Sequence, residues 1–137
     1  ALSEVGRLDE AFFFFLEETE WCHRAARKGW EVWHIPTAQA IHLQGSTAKK
    51  FNALARIEYH RSRLLYFKKT APHAYGLTLC LTLLKVLVNF TVNGLLALLT
   101  LGLSPKFKAK ASVDGQILKW YLQACPAAVG LPDKCKP

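Results

Sequence analysis

Three acidic side chains that lie close together in the sequence are the residues best suited to chemistry. Glu17, Glu18 and Glu20 follow directly after an unbroken run of phenylalanines at residues 12–15. A carboxylate can take a proton from an attacking hydroxyl group if it lies within hydrogen-bond reach of that group. Neighbouring carboxylates and apolar rings raise the proton affinity of such a carboxylate toward neutral pH. The cluster therefore has the composition of a general base for hydroxyl attack.

The same acids also fit the start of a helix. The sequence predicts a three-turn helix that begins at Glu17 and ends at Gly29, with acidic residues in its first turn and basic residues in its last. Glycine is a common C-terminal stop because it adopts the left-handed conformation without strain. Arg24 stands four residues after Glu20, so the two can pair on one helix face. A purely structural role for the acids therefore stays open beside catalysis.

Short extended segments are predicted on both sides of this helix. The run Phe12–Phe15 is apolar and bounded by charge, which indicates a buried strand or a wall segment. The stretch Trp30–Ile35 is rich in aromatic and branched residues and is closed by Pro36, which is typical of a strand. The segment Thr37–Leu43 offers a second short extended piece.

The second half of the chain is predicted to be helical. Residues 48–70 alternate apolar and basic side chains in a helical pattern. The stretch Tyr75–Leu103 carries one charge, Lys85, and exceeds the roughly 20 residues needed to cross a bilayer. It is interpreted as a membrane-embedded helix or a bent re-entrant pair broken near Asn93-Gly94, with a buried core helix as the alternative. An amphipathic helix is predicted over Ser112–Gln123, followed by a loose tail.

Net charge indicates the class of partner, and the spacing of the cysteines indicates the compartment. The formal net charge of +8 favours anionic partners, but no nucleic-acid-binding motif is visible, so membrane lipid is the expected anionic partner. The cysteines occur singly without CxxC spacing, which favours reduced thiols in a protein facing the cytosol, and no secretory signal is evident. The basic residues flank the apolar run and are Arg56, Arg61, Arg63, Lys68, Lys69, Lys106, Lys108 and Lys110.

A set of residues in the first third of the chain falls in the order and near the spacing of a known family. The stretch from Val5 to Arg24, continued by later glycine, proline and histidine positions, resembles family 2 glycosyltransferases of the GT-A fold. Bacterial rhamnosyltransferase-like members are the most similar. The matching residues are Gly6, Asp9, Glu10, Glu17, Arg24, Gly29, Pro36, His42 and Gly45.

The resemblance implies an α/β fold class, with the chain forming the C-terminal part of a GT-A domain followed by a mostly helical, membrane-associated segment. Residues 1–47 would be the acceptor-side part of the catalytic domain, and residues 48–72 an amphipathic basic helix. Residues 73–104 would form the apolar membrane-associated helix or re-entrant pair, and residues 105–137 an amphipathic helix and loose tail.

The resemblance also implies roles for individual residues. Glu18 occupies the position of the catalytic base, and Glu17, Glu20 and Arg24 would contact the acceptor. His42 matches a histidine that lies near the diphosphate and its metal, so it is a candidate metal or phosphate contact. Glutamates stand at positions 18 and 20 where the family has aspartates.

The complete enzyme would transfer a sugar with inversion from a nucleotide sugar to a cell-envelope glycan or lipid-linked acceptor, on the cytoplasmic side of the membrane. A divalent metal, Mg or Mn, would bridge the donor's diphosphate. The three aspartates of this chain, Asp9, Asp114 and Asp133, are widely separated and form no Asp-x-Asp motif, so the chain alone is expected to be an inactive fragment. The alternative is a non-enzymatic membrane adaptor or inactive remnant that binds lipid and a partner protein.

Overall fold

The structure is a computed structural model that describes residues 1–41 and 52–131. Five helices occur within these ranges, and the last three pack together as a bundle. Their bounds are α1 (Leu2–Val5), α2 (Glu17–Arg27), α3 (Asn52–Thr70), α4 (Pro72–Leu99) and α5 (Pro105–Leu122).

The predicted α/β class, as the C-terminal part of a GT-A domain, is wrong for the described residues, because these are helical and contain no strand. The predicted strand at Phe12–Phe15 is a bend that leads into α2, and Trp30–Ile35 is unpaired. Trp33 is 77% exposed. Aromatic and branched residues favour a half-buried pleated surface only where a partner strand supplies backbone hydrogen bonds, and no described segment does so for this stretch.

Helix α2 confirms the predicted three-turn helix and its glycine stop. Gly29 has a φ of +82°, and its N–H donates to the Ala26 carbonyl at 3.0 Å. The Trp30 N–H donates to the Ala25 carbonyl, also at 3.0 Å. These two bonds form a Schellman motif, which satisfies carbonyl groups that the helix end leaves without a partner.

Helix α4 is a single helix through most of the apolar run, which ends in a turn after Leu99. Pro72 starts it, where the fixed φ of proline suits the first helical turn. The helix continues through Asn93 and Gly94, which favours one straight element over a re-entrant pair. The Asn93 amide donates to the Asn89 carbonyl at 2.8 Å and to the Asp114 carboxylate at 3.2 Å. These polar residues therefore join α4 to α5.

The core of the protein lies between α3, α4 and α5. A short turn at residues 100–104 reverses the chain, so that α5 packs back along α4. Trp120 and Ile117 on α5 are each 1% exposed, and Ile57 on α3 is 2% exposed. The core side chains are Ile57, Leu64, Val86, Ile117, Trp120 and Tyr121.

The segment that follows α5 is held against the bundle. The Arg61 guanidinium donates to the carbonyls of Pro126, at 3.0 Å, and Val129. The Trp120 indole N–H donates to the same Pro126 carbonyl at 3.2 Å. Leu131 is 6% exposed. The prediction of a loose tail is therefore wrong for residues 126–131, and residues 132–137 lie outside the described residues.

Candidate functional site

Residues 14–23 lie against one face of α3. The ring centroids of Phe15 and Tyr59 are 5.7 Å apart, and those of His23 and Tyr66 are 6.0 Å apart. The Ser62 hydroxyl donates to the Phe14 carbonyl at 2.7 Å. Positions 59, 62 and 66 recur at helical spacing. The bundle therefore positions α2 and its acidic first turn.

The backbone immediately before the acidic cluster is strained. Phe15 and Leu16 have φ values of +69° and +65°. The left-handed conformation costs a non-glycine residue about 1–2 kcal/mol. Such strain persists only where the surrounding contacts impose it, and in this segment Phe14 and Phe15 are fixed on α3. These two left-handed residues set the direction in which the side chains of Glu17 and Glu18 extend from the backbone.

Glu20 and Arg24 form a buried ion pair that ties α2 to the chain start. The Arg24 Nε donates to both Glu20 carboxylate oxygens, at 2.7 and 2.9 Å. Its two terminal nitrogens donate to the carbonyls of Val5, at 2.5 Å, and Arg7, at 2.7 Å. Glu20 is 4% exposed. We call this pair, with its bonds to Val5 and Arg7, the Arg24 clamp. The Arg24 side chain therefore binds groups of the protein itself.

Gly6 lies next to the Arg24 clamp, and its backbone conformation requires glycine. Its φ of +84° with a ψ of −176° is a conformation open to glycine alone. A Cβ added at this position would lie 3.5 Å from the Arg24 guanidinium. The Trp21 indole N–H donates to the Gly6 carbonyl at 2.8 Å. Three positions of the family-like motif, Gly6, Glu20 and Arg24, therefore meet in one cluster.

The other two acids differ from Glu20. Glu18 is exposed to solvent. Glu17 is half-buried, and its Oε2 is a buried atom without a hydrogen-bond partner among the described residues. A buried carboxylate oxygen without a hydrogen-bond partner is unusual, because buried polar atoms almost always form a hydrogen bond. The acidic turn therefore holds one accessible carboxylate, one incompletely bonded carboxylate and one locked in the Arg24 clamp.

The predicted metal contact, His42, lies outside the described residues. Within residues 1–41 and 52–131, no group of three or more His, Cys, Asp or Glu side chains could hold a metal ion. Mg and Mn prefer several oxygen ligands, mainly carboxylates and waters, around one ion. The described residues alone therefore do not supply the donor set that the predicted metal needs.

A basic cleft of about 560 Å3 lies between α3, α4 and α5. Arg56 and Arg63 enter it from α3, and Lys85 from α4. Asp114 on α5 supplies the negative charge, 3.8 Å from the Arg56 guanidinium. Three cations therefore face one carboxylate. The remaining lining includes Phe15, Asn52, Tyr59, His60 and Asn89.

The excess positive charge of this basic cleft acts on His60. Burial lowers the pKa of His60 to about 4, and the nearby charges of Arg63, Lys85 and Arg56 act in the same direction. His60 is therefore neutral at pH 7, and its Nδ1 shares a hydrogen bond with the Tyr121 hydroxyl at 2.9 Å. Burial also raises the pKa of Tyr121, so the phenol stays protonated.

The sequence carries one signal for the basic cleft, which is Lys85. The sequence pattern predicted lipid contacts for Arg56 and Arg63 together with their basic neighbours. Lys85 entered that prediction only as the one charged residue of the apolar run. A single cation inside a long apolar run marks a functional site by default, because its burial in lipid is costly. His60 and Asp114 give no such signal, because only the fold brings them to Lys85.

Among the described residues one helix, α4, is long and apolar enough to cross a membrane, and only 11% of its most apolar window is buried inside the protein. Seven of its exposed apolar side chains recur every three or four residues, which places them on one face, while Leu87, Phe90 and Leu98 are exposed outside this row. Leu77 is 63% exposed and Leu99 is 79% exposed. This face, which we call the apolar stripe, consists of Leu77, Leu81, Leu84, Val88, Val92, Leu95 and Leu99.

The basic residues predicted to contact lipid divide into two groups. Arg61 forms an ion pair with Glu58 and donates a hydrogen bond to the Val129 carbonyl in the segment after α5. Lys69 forms an ion pair with Asp9. The hydrogen bond from Lys69 is the largest cause that lowers the pKa of Asp9. Both cations therefore have structural roles. Those left facing solvent or the basic cleft are Arg56, Arg63, Lys68, Lys106, Lys108 and Lys110.

Comparison of the chain with protein-family models, with curated proteins and with solved structures finds no significant match. The resemblance to family 2 glycosyltransferases therefore rests on the sequence motif alone.

Proposed function

We propose that this chain is the membrane-associated, acceptor-side part of an inverting glycosyltransferase of the family 2 type. In this proposal a nucleotide sugar is the donor and a cell-envelope glycan or lipid-linked sugar is the acceptor. The acceptor hydroxyl oxygen attacks the anomeric carbon while the nucleoside diphosphate leaves, and Glu18 takes the hydroxyl proton. Inversion follows because attack and departure occur on opposite faces of the sugar.

The Arg24 clamp is the observation that carries this proposal. Two of its hydrogen bonds join Arg24 to Glu20 within α2 and two join Arg24 to the carbonyls of Val5 and Arg7, while Glu18 in the first turn of α2 stays accessible. A general base needs this combination, because it must be held in place and still reach an incoming hydroxyl group. Glu17 is the neighbouring acid of the same turn, and in this proposal it lines the acceptor side, although its Oε2 is itself buried.

The proposed membrane contact is the apolar stripe, with α4 lying in the plane of the membrane. Arg56, Arg63 and Lys85 lie beside the middle of α4, so a spanning helix would bring them to the bilayer centre. Each charge there costs roughly 2.5–3.5 kcal/mol or more. A helix that lies flat instead buries its apolar face in the headgroup boundary and leaves the charges at headgroup depth.

The side of the membrane follows from the chemistry proposed. Nucleotide sugars are made in the cytosol, and the thiols of Cys22, Cys80 and Cys125 are free. We therefore assign the protein to the cytoplasmic face. The exposed lysines Lys106, Lys108 and Lys110 at the start of α5 would contribute about 1 kcal/mol each near anionic lipid.

Depth measurements test the orientation. Spin labels at Leu77, Val88 and Leu99 sample the two ends and the middle of the apolar stripe, which is about 33 Å long at the helical rise of 1.5 Å per residue. An in-plane helix places all three labels at similar shallow depths. A spanning helix places only the label at Val88 near the bilayer centre, and that pattern would contradict the proposed orientation.

The enzymatic part is tested in cells that express the gene from its own locus. Glu18→Gln is compared with Glu31→Gln, which removes a charge from an exposed residue after α2. We expect loss of a cell-envelope glycan product only for Glu18→Gln, with equal amounts of both proteins in the membrane. An unchanged glycan profile would contradict the role of Glu18.

The helical structure, with no strand among the described residues, favours a second candidate, a non-enzymatic membrane adaptor that binds lipid and a partner protein. In this case Glu18→Gln leaves the glycans unchanged, whereas charged substitutions in the apolar stripe remove the protein from the membrane. The two candidates therefore differ in the response of the glycan profile to Glu18→Gln.

A further inference from the structure

The basic cleft has more positive charge than its own residues neutralise. Arg56 shares Asp114, while Arg63 and Lys85 form no ion pair with any carboxylate of the described residues. Arg63 donates to the Thr82 hydroxyl, which is neutral. With three cations, one carboxylate and a neutral His60, the cleft has a surplus of two positive charges.

The donors in the basic cleft suit a phosphate group. Arginine guanidinium groups bind phosphate oxygens with paired N–H groups, and lysine adds a point charge. Asn52 and Asn89 line the same space and provide neutral amide donors. The volume of about 560 Å3 exceeds that of a single phosphate and leaves room for a diphosphate or an attached group.

The edge of the basic cleft borders the apolar stripe. Lys85 and Asn89 line the cleft, and each directly follows a residue of the stripe, Leu84 and Val88. Consecutive helix residues are about 100° apart, so the two surfaces are adjacent along α4. A ligand with a phosphate head and an apolar chain could therefore contact both at once.

We propose that the basic cleft binds a phosphate monoester or diphosphate, and that the apolar stripe favours one carried by a lipid. This goes beyond the proposed function, because it concerns binding and requires no sugar transfer. Lys85 contacts the phosphate directly, Arg56 and Arg63 bind its remaining oxygens, and Asp114 weakens binding by competing for Arg56.

Binding is measured with the full chain against vesicles of phosphatidylcholine that contain either phosphatidic acid or phosphatidylserine at equal surface charge. We expect preference for the phosphatidic acid vesicles, whose headgroup is a phosphate monoester. Lys85→Gln should weaken that binding about tenfold, because it removes a charge-assisted contact. The control Lys119→Gln removes the same charge from an exposed position outside the cleft and outside the proposed lipid contacts, so it should change binding less than about twofold.

A variant with the opposite sign excludes simple loss of structure. Asp114→Asn keeps the shape of the side chain and its amide contact with Asn93 but frees Arg56, so phosphatidic acid binding should become tighter. Equal losses for Lys85→Gln and Lys119→Gln would overturn the proposal, because they would indicate general surface attraction. Weaker binding by Asp114→Asn, with thermal stability unchanged, would also overturn it.

The source of the phosphate is distinguished with inorganic phosphate as a soluble probe. A bound anion should raise the pKa of His60 from about 4, which NMR of the imidazole detects. The groups facing that imidazole are Arg56, Arg63, Lys85, Asp114, Tyr59 and Tyr121. A response to inorganic phosphate that Lys85→Gln removes assigns the site to free phosphate as well as lipid, whereas a response to phosphatidic acid alone assigns it to lipid. No response to either would overturn the proposal.

Discussion

Replacing Arg24 by alanine tests whether its clamp holds the acidic turn in place. The variant removes four hydrogen bonds and leaves Glu20 buried without its counter-ion. The Glu20 side chain is 6% exposed and that of Arg24 is 30% exposed. Removing one partner of a buried ion pair costs about 3–5 kcal/mol, and the partial exposure of Arg24 favours the lower end. A loss of about 3 kcal/mol corresponds to a change of about 100-fold in the local opening equilibrium.

Hydrogen exchange of the full chain in bilayers measures this change at the amides of Val5 and Gly6. These amides donate to the carbonyls of Ala1, at 2.7 Å, and Leu2, at 3.0 Å, and open when α1 separates from α2. We expect exchange about 100-fold faster in Arg24→Ala, or as fast as an unprotected amide. Arg27→Ala, on an exposed position of the same helix, should leave exchange nearly unchanged. Equal exchange in the two variants would refute the structural role assigned to Arg24.

Two further predictions concern the bundle and the membrane. Because burial holds the pKa of His60 at about 4 in the folded protein against 6.5 when unfolded, the unfolded chain binds the extra proton between these values. Its contribution to stability is therefore complete above about pH 6.5 and is lost as the pH falls toward 4, and His60→Gln should flatten that part of a chemical denaturation profile. The double variant Leu81→Asp/Leu95→Asp should reduce vesicle binding by at least about tenfold without lowering thermal stability, because both side chains are exposed. The control is Gln116→Asp, at an exposed position on α5. Equal losses of binding in the two proteins would contradict a specific membrane face.

The helices could be predicted from the sequence because their signals are local. The acidic first turn, the basic last turn and Gly29 defined α2, and the apolar composition of residues 75–103 defined most of α4. These features act within one or two turns of backbone and need no distant partner. The prediction of strands failed for the opposite reason, since Trp30–Ile35 has strand composition but no neighbouring strand among the described residues.

The candidate sites could be predicted only in part. The pairing of Glu20 with Arg24 follows from their spacing, but the bonds from Arg24 to Val5 and Arg7 depend on how the chain start folds over α2. Similarly, Lys85 stood out in the sequence, whereas its approach to Arg56, Arg63 and Asp114 depends on the packing of three helices. A cleft formed by residues far apart in the chain leaves no periodic pattern to detect.

The most direct test of the proposed sugar transfer measures the rate at which membranes from expressing cells move labelled sugar from a panel of nucleotide sugars into glycan or lipid products. Glu18→Asp keeps a carboxylate and restores the residue that the family has at this position, so it should retain activity. Glu18→Gln cannot accept the proton and should be slower by about 10²–10⁴-fold. Equal rates for Glu18→Gln and the unchanged protein would contradict the assignment of Glu18 as the base.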